Sequence, residues 1–388
     1  MLARSVLSRG NRMGFNRCAV LLTGGLLTVV LAAALAGCGG GSSSTPQSSS
    51  SPSARYAFVT VPQAGISSFR FDNNGTLTPV LGGPFPAGTS PTSILLHPSG
   101  KFVYVANQGG NDISLMAIDF STGALSEVMP RTGAGVTPVA LVMDAQGKFL
   151  FAANESSSTI SAYTMDPSSG VLKEVTGSPF PANPNPVAMA ISGSFLYAAN
   201  ANSATVTAFT IDSGSGALTQ VPTSPYPVGR GPLAIAADPN GHFIYVANSV
   251  DSTFSVLSID STTGALTNVS GSPFPVSSTA SATFPVAETV DSTGANLYIA
   301  NQSSSSVSVF SIAPVTGMPT QLTDSPFTAS GAPVYITFDP TGTFMLVVSE
   351  TSKELAVISV NSTTGGLGGG TVSSQTLNLT PTSVVTTK

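Results

Sequence analysis

PLAIAADPNGHFIYVAN (residues 232–248), followed by VLSIDSTTGALT (256–267), decides the fold. Pro232 opens a short apolar run, and Asp238-Pro239-Asn240-Gly241 reads as a turn. Residues 243–248 form a second run of aromatic and β-branched side chains. Residues 254–260 then alternate apolar with polar, and Gly264 follows Asp260 after four positions. Each run suits a strand and is too short for a typical helix.

The unit recurs. Its opening prolines are Pro91, Pro138, Pro186, Pro232, Pro285, Pro333 and Pro381, spaced by 47, 48, 46, 53, 48 and 48 residues. The second run returns at 56–60, 102–107, 149–154, 195–200, 243–248, 296–301 and 344–349, and the alternating run at 113–119, 160–166, 206–212, 254–260 and 307–313. A short fourth run follows each Gly, as after Gly123 and Gly216. Four short strands at one long period, seven times over, predict an all-β, seven-bladed β-propeller of four-stranded antiparallel blades across residues 55–388. The first repeat lacks a proline-led strand, and the chain ends on one that nothing follows. The C-terminal strand is therefore expected to complete the N-terminal blade and remove the free edge at the ring seam.

Composition agrees. Of 388 residues, 41% are hydrophobic and only 8% charged, against about a quarter charged in an average chain. Disordered chains show the opposite balance. Arg4, Arg9, Arg12 and Arg17 precede every acid, the first of which is Asp72. Without that segment, 9 basic residues face 18 acidic ones, a charge of −9. Such a surface has no footprint for a phosphate backbone, which excludes nucleic-acid binding.

The basic start, the uncharged stretch 18–36 and the box Leu35-Ala36-Gly37-Cys38 resemble a bacterial lipoprotein signal. That resemblance implies a signal peptide over 1–37, lipid attachment at Cys38, and a Gly/Ser-rich tether over 38–54 with a reach of about 20–24 Å. Cys18 falls inside the signal, so the mature body is left without a free thiol. Gly39 after the Cys points to the outer membrane, with the chain held at the cell envelope by its lipid alone.

Most repeated polar residues read as structure. Asp119, Asp166, Asp212 and Asp260, each followed after four positions by Gly, suit turns rather than a metal site, as do His97 and the aspartates at its equivalent positions. His97 and His242 are the two histidines, too few for a Ser-His-Asp or His-metal centre. The repeated SPFP-like segments suit stiff connections with an aromatic anchor, and the Gly run at 365–370 lacks the Lys of a phosphate loop. No C-x-x-C-H motif and no Trp occur, so haem and quinone cofactors are set aside and no cofactor is expected.

Function shows where a repeat breaks its pattern. Glu288 stands where other repeats have Ile94, Leu141, Met189, Ile235, Ile336 and Val384, and its repeat is lengthened by residues 277–283. Arg230 is charged where its counterparts are not, and Tyr335 replaces a Ser or Ala. A buried Glu is costly unless paired or protonated, so Glu288 is expected to face solvent in the channel or to be functional. Glu288, Arg230 and Tyr335 are the candidate catalytic residues.

Residues 232–248 with 256–267 also resemble the propeller lactonase family, the 6-phosphogluconolactonase type, and the related YVTN-type surface propellers. The resemblance covers essentially all of 55–388 and implies the same propeller fold and, for the lactonases, hydrolysis of a sugar lactone. The family's G-P-R-H and N-E signature is matched in part only. Leu233 and Ala234 follow Pro232, and Ser249 replaces the Glu. Asn154-Glu155 keeps the N-E pair below Val139 and Ala140; Ser349-Glu350 keeps the Glu below Val334 and Tyr335.

Two functions follow. One is a lipid-anchored extracytoplasmic propeller that binds an envelope protein, a polymer or a small ligand at the channel mouth. The alternative is a hydrolase opening a sugar or aliphatic lactone, with Glu288 as base and Arg230 steadying an oxyanion.

Overall fold

In the computed structural model, residues 55–278 and 283–388 are described; the signal, Cys38 and the tether lie outside them. Thirty-two strands form seven antiparallel sheets, here blades I to VII. From blade II onward each opens on a proline-led inner strand: Pro91–Leu96, Pro138–Met143, Pro186–Ser192, Pro232–Ala237, Pro285–Val290 and Pro333–Phe338. Proline fits that place because an innermost strand has one unpaired edge.

Blade I is built from both ends of the ring. Ser383–Thr386 pairs antiparallel with Arg55–Val61, Val384 opposite Val59. Ser383 Oγ also accepts the Ile94 amide of blade II at 3.1 Å. On the other side of the seam Arg55 meets the buried Asp339 of blade VII at 2.7 Å. Inner strands then adjoin one another all the way round, so the ring and all its cores close within residues 55–388.

Seven hydrophobic cores lie between adjacent blades rather than within them. Strand alternation explains this: successive side chains point to opposite sheet faces, and each face meets a neighbour. Blades III to VI carry a fifth, two-residue strand that the repeat reading leaves out. It is the aromatic residue of the SPFP-like segment with the residue after it, Pro in blades III to V and Thr328 in blade VI, as in Phe274–Pro275 against Thr253 and Phe254. The preceding Ser caps the third strand, Ser272 Oγ accepting the Val256 amide at 2.9 Å.

Connections leave each blade at two ends. The lower end holds the turns between first and second and between third and fourth strands, and these are uniform. Asp166 accepts from Ser168 and Ser169, and Asp212 from Gly214 and Ser215. The Ser168 hydroxyl and Ser169 amide hold the Asp166 carboxyl well below the usual carboxylate range, as the Ser215 hydroxyl and amide do for Asp212. His97 does the work of its aspartate counterparts: Nδ1 accepts the Ser99 amide at 3.0 Å while Nε2 donates to Gly147 O at 3.2 Å.

Candidate functional site

Seven inner strands enclose a central cavity of about 400 Å³, within the range of small-molecule sites. Its walls are unequal. Val139, Val187, Leu233 and Val286 make the side formed by blades III to VI aliphatic. Blades VII, I and II contribute Tyr335, Thr382, Ser383, Thr92 and Ser93. Most of those hydroxyls are engaged: Ser93 Oγ accepts the Leu141 amide at 3.2 Å, and Thr382 Oγ1 meets Thr60 Oγ1 at 2.8 Å. Among the described residues the Tyr335 hydroxyl has no hydrogen-bond partner, and burial raises its pKa.

Glu288 lies along this cavity, but its carboxyl is turned out of the lumen. Its residue pairs with Ile299, which belongs to the core between blades V and VI. Both carboxyl oxygens are buried and unbonded. Burial pushes the group well above the usual carboxylate range; the Ala247 and Ala236 amides pull against this without reaching hydrogen-bonding geometry. Burial thus favours the neutral form of the side chain, in a slot that Ile, Leu, Met or Val fills in the other blades. This corrects the expectation of a Glu288 facing solvent: the strand's alternation, not solvation, sets its direction.

Arg230 is elsewhere. It lies on the upper connection before blade V, its side chain 74% exposed, with Nε on Asp251 Oδ1 at 2.7 Å and its own amide on Asp251 Oδ2. It does not line the cavity. The structure therefore places Glu288 and Tyr335 along one channel, on neighbouring blades, but does not join Arg230 to them. The base-and-oxyanion pairing of Glu288 with Arg230 fails on geometry, because Asp251 already holds the guanidinium.

The upper mouth supplies what the repeat breaks missed. One position, just after the Asn (Ser349 in blade VII) that ends the second strand of blades II to VII, holds Gln108, Glu155, Ala201, Ser249, Gln302 and Glu350. Glu155 is half-buried and accepts from Asn185 Nδ2 at 2.9 Å; Glu350 accepts from Gln302 Nε2 at 2.7 Å. The N-E signature already marks Glu155 and Glu350 in the sequence; comparing that single position across repeats adds Gln108 and Gln302. Exposed apolar side chains stand among these polar groups on the same upper connections: Val136, Val250, Phe284 and Leu379.

The family described as lactonase, 7-bladed beta-propeller, matches residues 57–191 and 192–384. No curated protein matches the sequence. Among solved structures, the periplasmic gluconolactonase of Pseudomonas aeruginosa is similar, with TM-score 0.73 and 18% identity over 87% of this chain and 99% of that one. A candidate 6-phosphogluconolactonase of Bacteroides uniformis gives TM-score 0.73 and 19% identity over 86% and 100%. Another, of Bacteroides fragilis, gives 0.73 and 19% over 88% and 99%. At such identity these structures speak for the fold.

Proposed function

The chain belongs to the seven-bladed lactonase propeller family, and from that premise we propose that it hydrolyses a lactone at the upper mouth of its channel. The observation carrying this reading is the family match along nearly the whole ring, together with the retained Asn154-Glu155 pair at the mouth. Glu155 is the base. It takes a proton from water as the water oxygen attacks the lactone carbonyl carbon. The ring C–O bond then breaks, the ring oxygen gains a proton, and a hydroxy acid leaves. Asn185 holds the carboxylate in place through one oxygen and leaves the other free to act.

Proton release by residues 55–388 on a panel of sugar and aliphatic lactones tests this. A positioned general base contributes about 10²–10⁴ in rate, so Glu155→Gln is expected to lower kcat/KM by at least a hundredfold. Glu288→Gln is expected to leave it within a few-fold. No turnover above the uncatalysed rate would leave the second reading, an extracytoplasmic module that binds an envelope component without chemistry. The incomplete G-P-R-H and N-E signature favours that reading.

We further propose that the chain is anchored at the bacterial envelope through lipid on Cys38, on the strength of the Leu35-Ala36-Gly37-Cys38 box. Labelling with a radioactive fatty acid checks it: the wild-type chain takes up label, and Cys38→Ser does not.

A further inference from the structure

The channel differs from end to end of its circumference, and that asymmetry bears on what enters it. Val139, Val187, Leu233 and Val286 offer a continuous aliphatic wall, and no Lys or Arg lines the lumen. Its one carboxyl is turned into the protein. On the other side Tyr335 lines the lumen while packing against the core between blades VII and I, and its hydroxyl has no hydrogen-bond partner among the described residues. A phosphate or polyhydroxylated ring set against that aliphatic wall would lose its water without gaining partners there, whereas Thr92, Thr382 and Ser383 on the opposite side can meet a ligand's polar end. A hydrocarbon chain along the aliphatic wall gives up no hydrogen bond.

The mouth supports the same choice independently. Phe284, just before the inner strand of blade VI, is 37% exposed and adopts a φ of 52°. Its counterparts in the left-handed region are mostly small or turn-forming: Ser90, Asn185, Gly231 and Ala332. An exposed aromatic ring in that conformation is unfavourable twice over, through strain and through contact with water. With Val136, Val250 and Leu379 it gives the rim an apolar component suited to an apolar visitor.

We propose that the substrate is an uncharged aliphatic lactone, its ring held at the mouth and its alkyl tail lying in the channel along Val187, Leu233 and Val286, with Tyr335 donating to the lactone carbonyl. This rests on the lactonase reading above for the chemistry, and on the channel alone for the binding.

The test compares δ-decalactone, δ-valerolactone and glucono-δ-lactone on residues 55–388, by calorimetric binding and by proton release. Binding of δ-decalactone at least tenfold tighter than of δ-valerolactone is expected, with glucono-δ-lactone weakest. Leu233→Phe, which narrows the lumen by an apolar exchange, is expected to erase the preference for the long tail while sparing δ-valerolactone. Tyr335→Phe is expected to weaken all the aliphatic lactones by about fivefold, the loss of one hydrogen bond. A thermal melt of each variant separates misfolding from lost binding. Decalactone bound but not hydrolysed would support the channel assignment and overturn the lactonase reading. Glucono-δ-lactone hydrolysed with no binding of decalactone would overturn the assignment and leave the lactonase reading standing. Indifference of tail preference to Leu233→Phe would also overturn it.

Discussion

Two neighbouring interfaces in the ring are made from one repeat and end differently. Between blades IV and V, Ile235 fills the core beside the channel, and Tyr197 donates its hydroxyl to Gly264 O of the next blade at 3.1 Å. Between blades V and VI, Glu288 occupies the equivalent core slot with both oxygens unbonded, and the Tyr245 hydroxyl has no partner. In the two other blades that carry this tyrosine the bond is kept, Tyr104 and Tyr298 donating to Gly170 O and Gly365 O at 2.6 and 2.7 Å, while Phe58, Phe151 and Leu346 stand there in the rest. The V–VI interface, packed by Phe254 against Phe310, therefore buries polar atoms without hydrogen-bond partners, where the repeat is longest. Burying polar groups without partners is destabilising. The ring has one weak joint, and it flanks the aliphatic wall of the channel.

The comparison breaks most sharply if the defect is copied. Ile235→Glu places a second carboxyl in the IV–V core and forfeits an apolar side chain, so a loss of about 3–5 kcal/mol is expected from urea unfolding. Undoing the original works the other way. Glu288→Met installs the residue that blade IV has at Met189 and is expected to stabilise by about 1–3 kcal/mol.

Glu288 also sets a pH dependence whose sign is fixed. Its folded pKa lies well above its unfolded value, so the folded state binds more protons. Stability is fully present below the unfolded glutamate pKa of about 4.3 and declines as pH rises from there toward the folded value. The lower turns oppose this: Asp166 and Asp212 have lowered values and contribute stability that is lost as pH falls. Glu288→Met is expected to remove the decline above pH of about 4.3 and leave the acid limb. Parallel decline in both proteins would count against a neutral Glu288.

The smallest effect separates the two tyrosines. Tyr197→Phe loses a hydrogen bond worth about 0.5–1.5 kcal/mol, while Tyr245→Phe removes an unpartnered hydroxyl and is expected to be neutral or slightly stabilising. Equal losses would mean that Tyr245 is bonded after all.

What could be read from sequence follows from the same contrast. The seven blades, the seam strand and the capped turns were legible because they repeat, and Pro285 or Asp260 can be judged against six equivalents. Glu288 and Arg230 stood out as exceptions, but their directions did not. Side-chain alternation past a bulge at Pro285 and Ala287 sends the carboxyl into a core, and Asp251, 21 residues from Arg230, captures the guanidinium. The two-residue strands were hidden because Phe274–Pro275 is too short to carry a period. Glu155 and Glu350 were legible through the N-E signature, but their contacts with Asn185 and Gln302 were not, because these come from different blades joined only by closure of the ring.

The central claim, that the channel is the ligand site and its aliphatic wall chooses the ligand, is tested most directly by a crystal structure of residues 55–388 grown with 5-hydroxydecanoate, the product of δ-decalactone. The account predicts the alkyl chain against Leu233 and Val286, with its polar head near Tyr335 and the mouth. Product seated instead in the lower groove lined by Asp291, Asn296 and Asp339, with the channel holding only water, would contradict it.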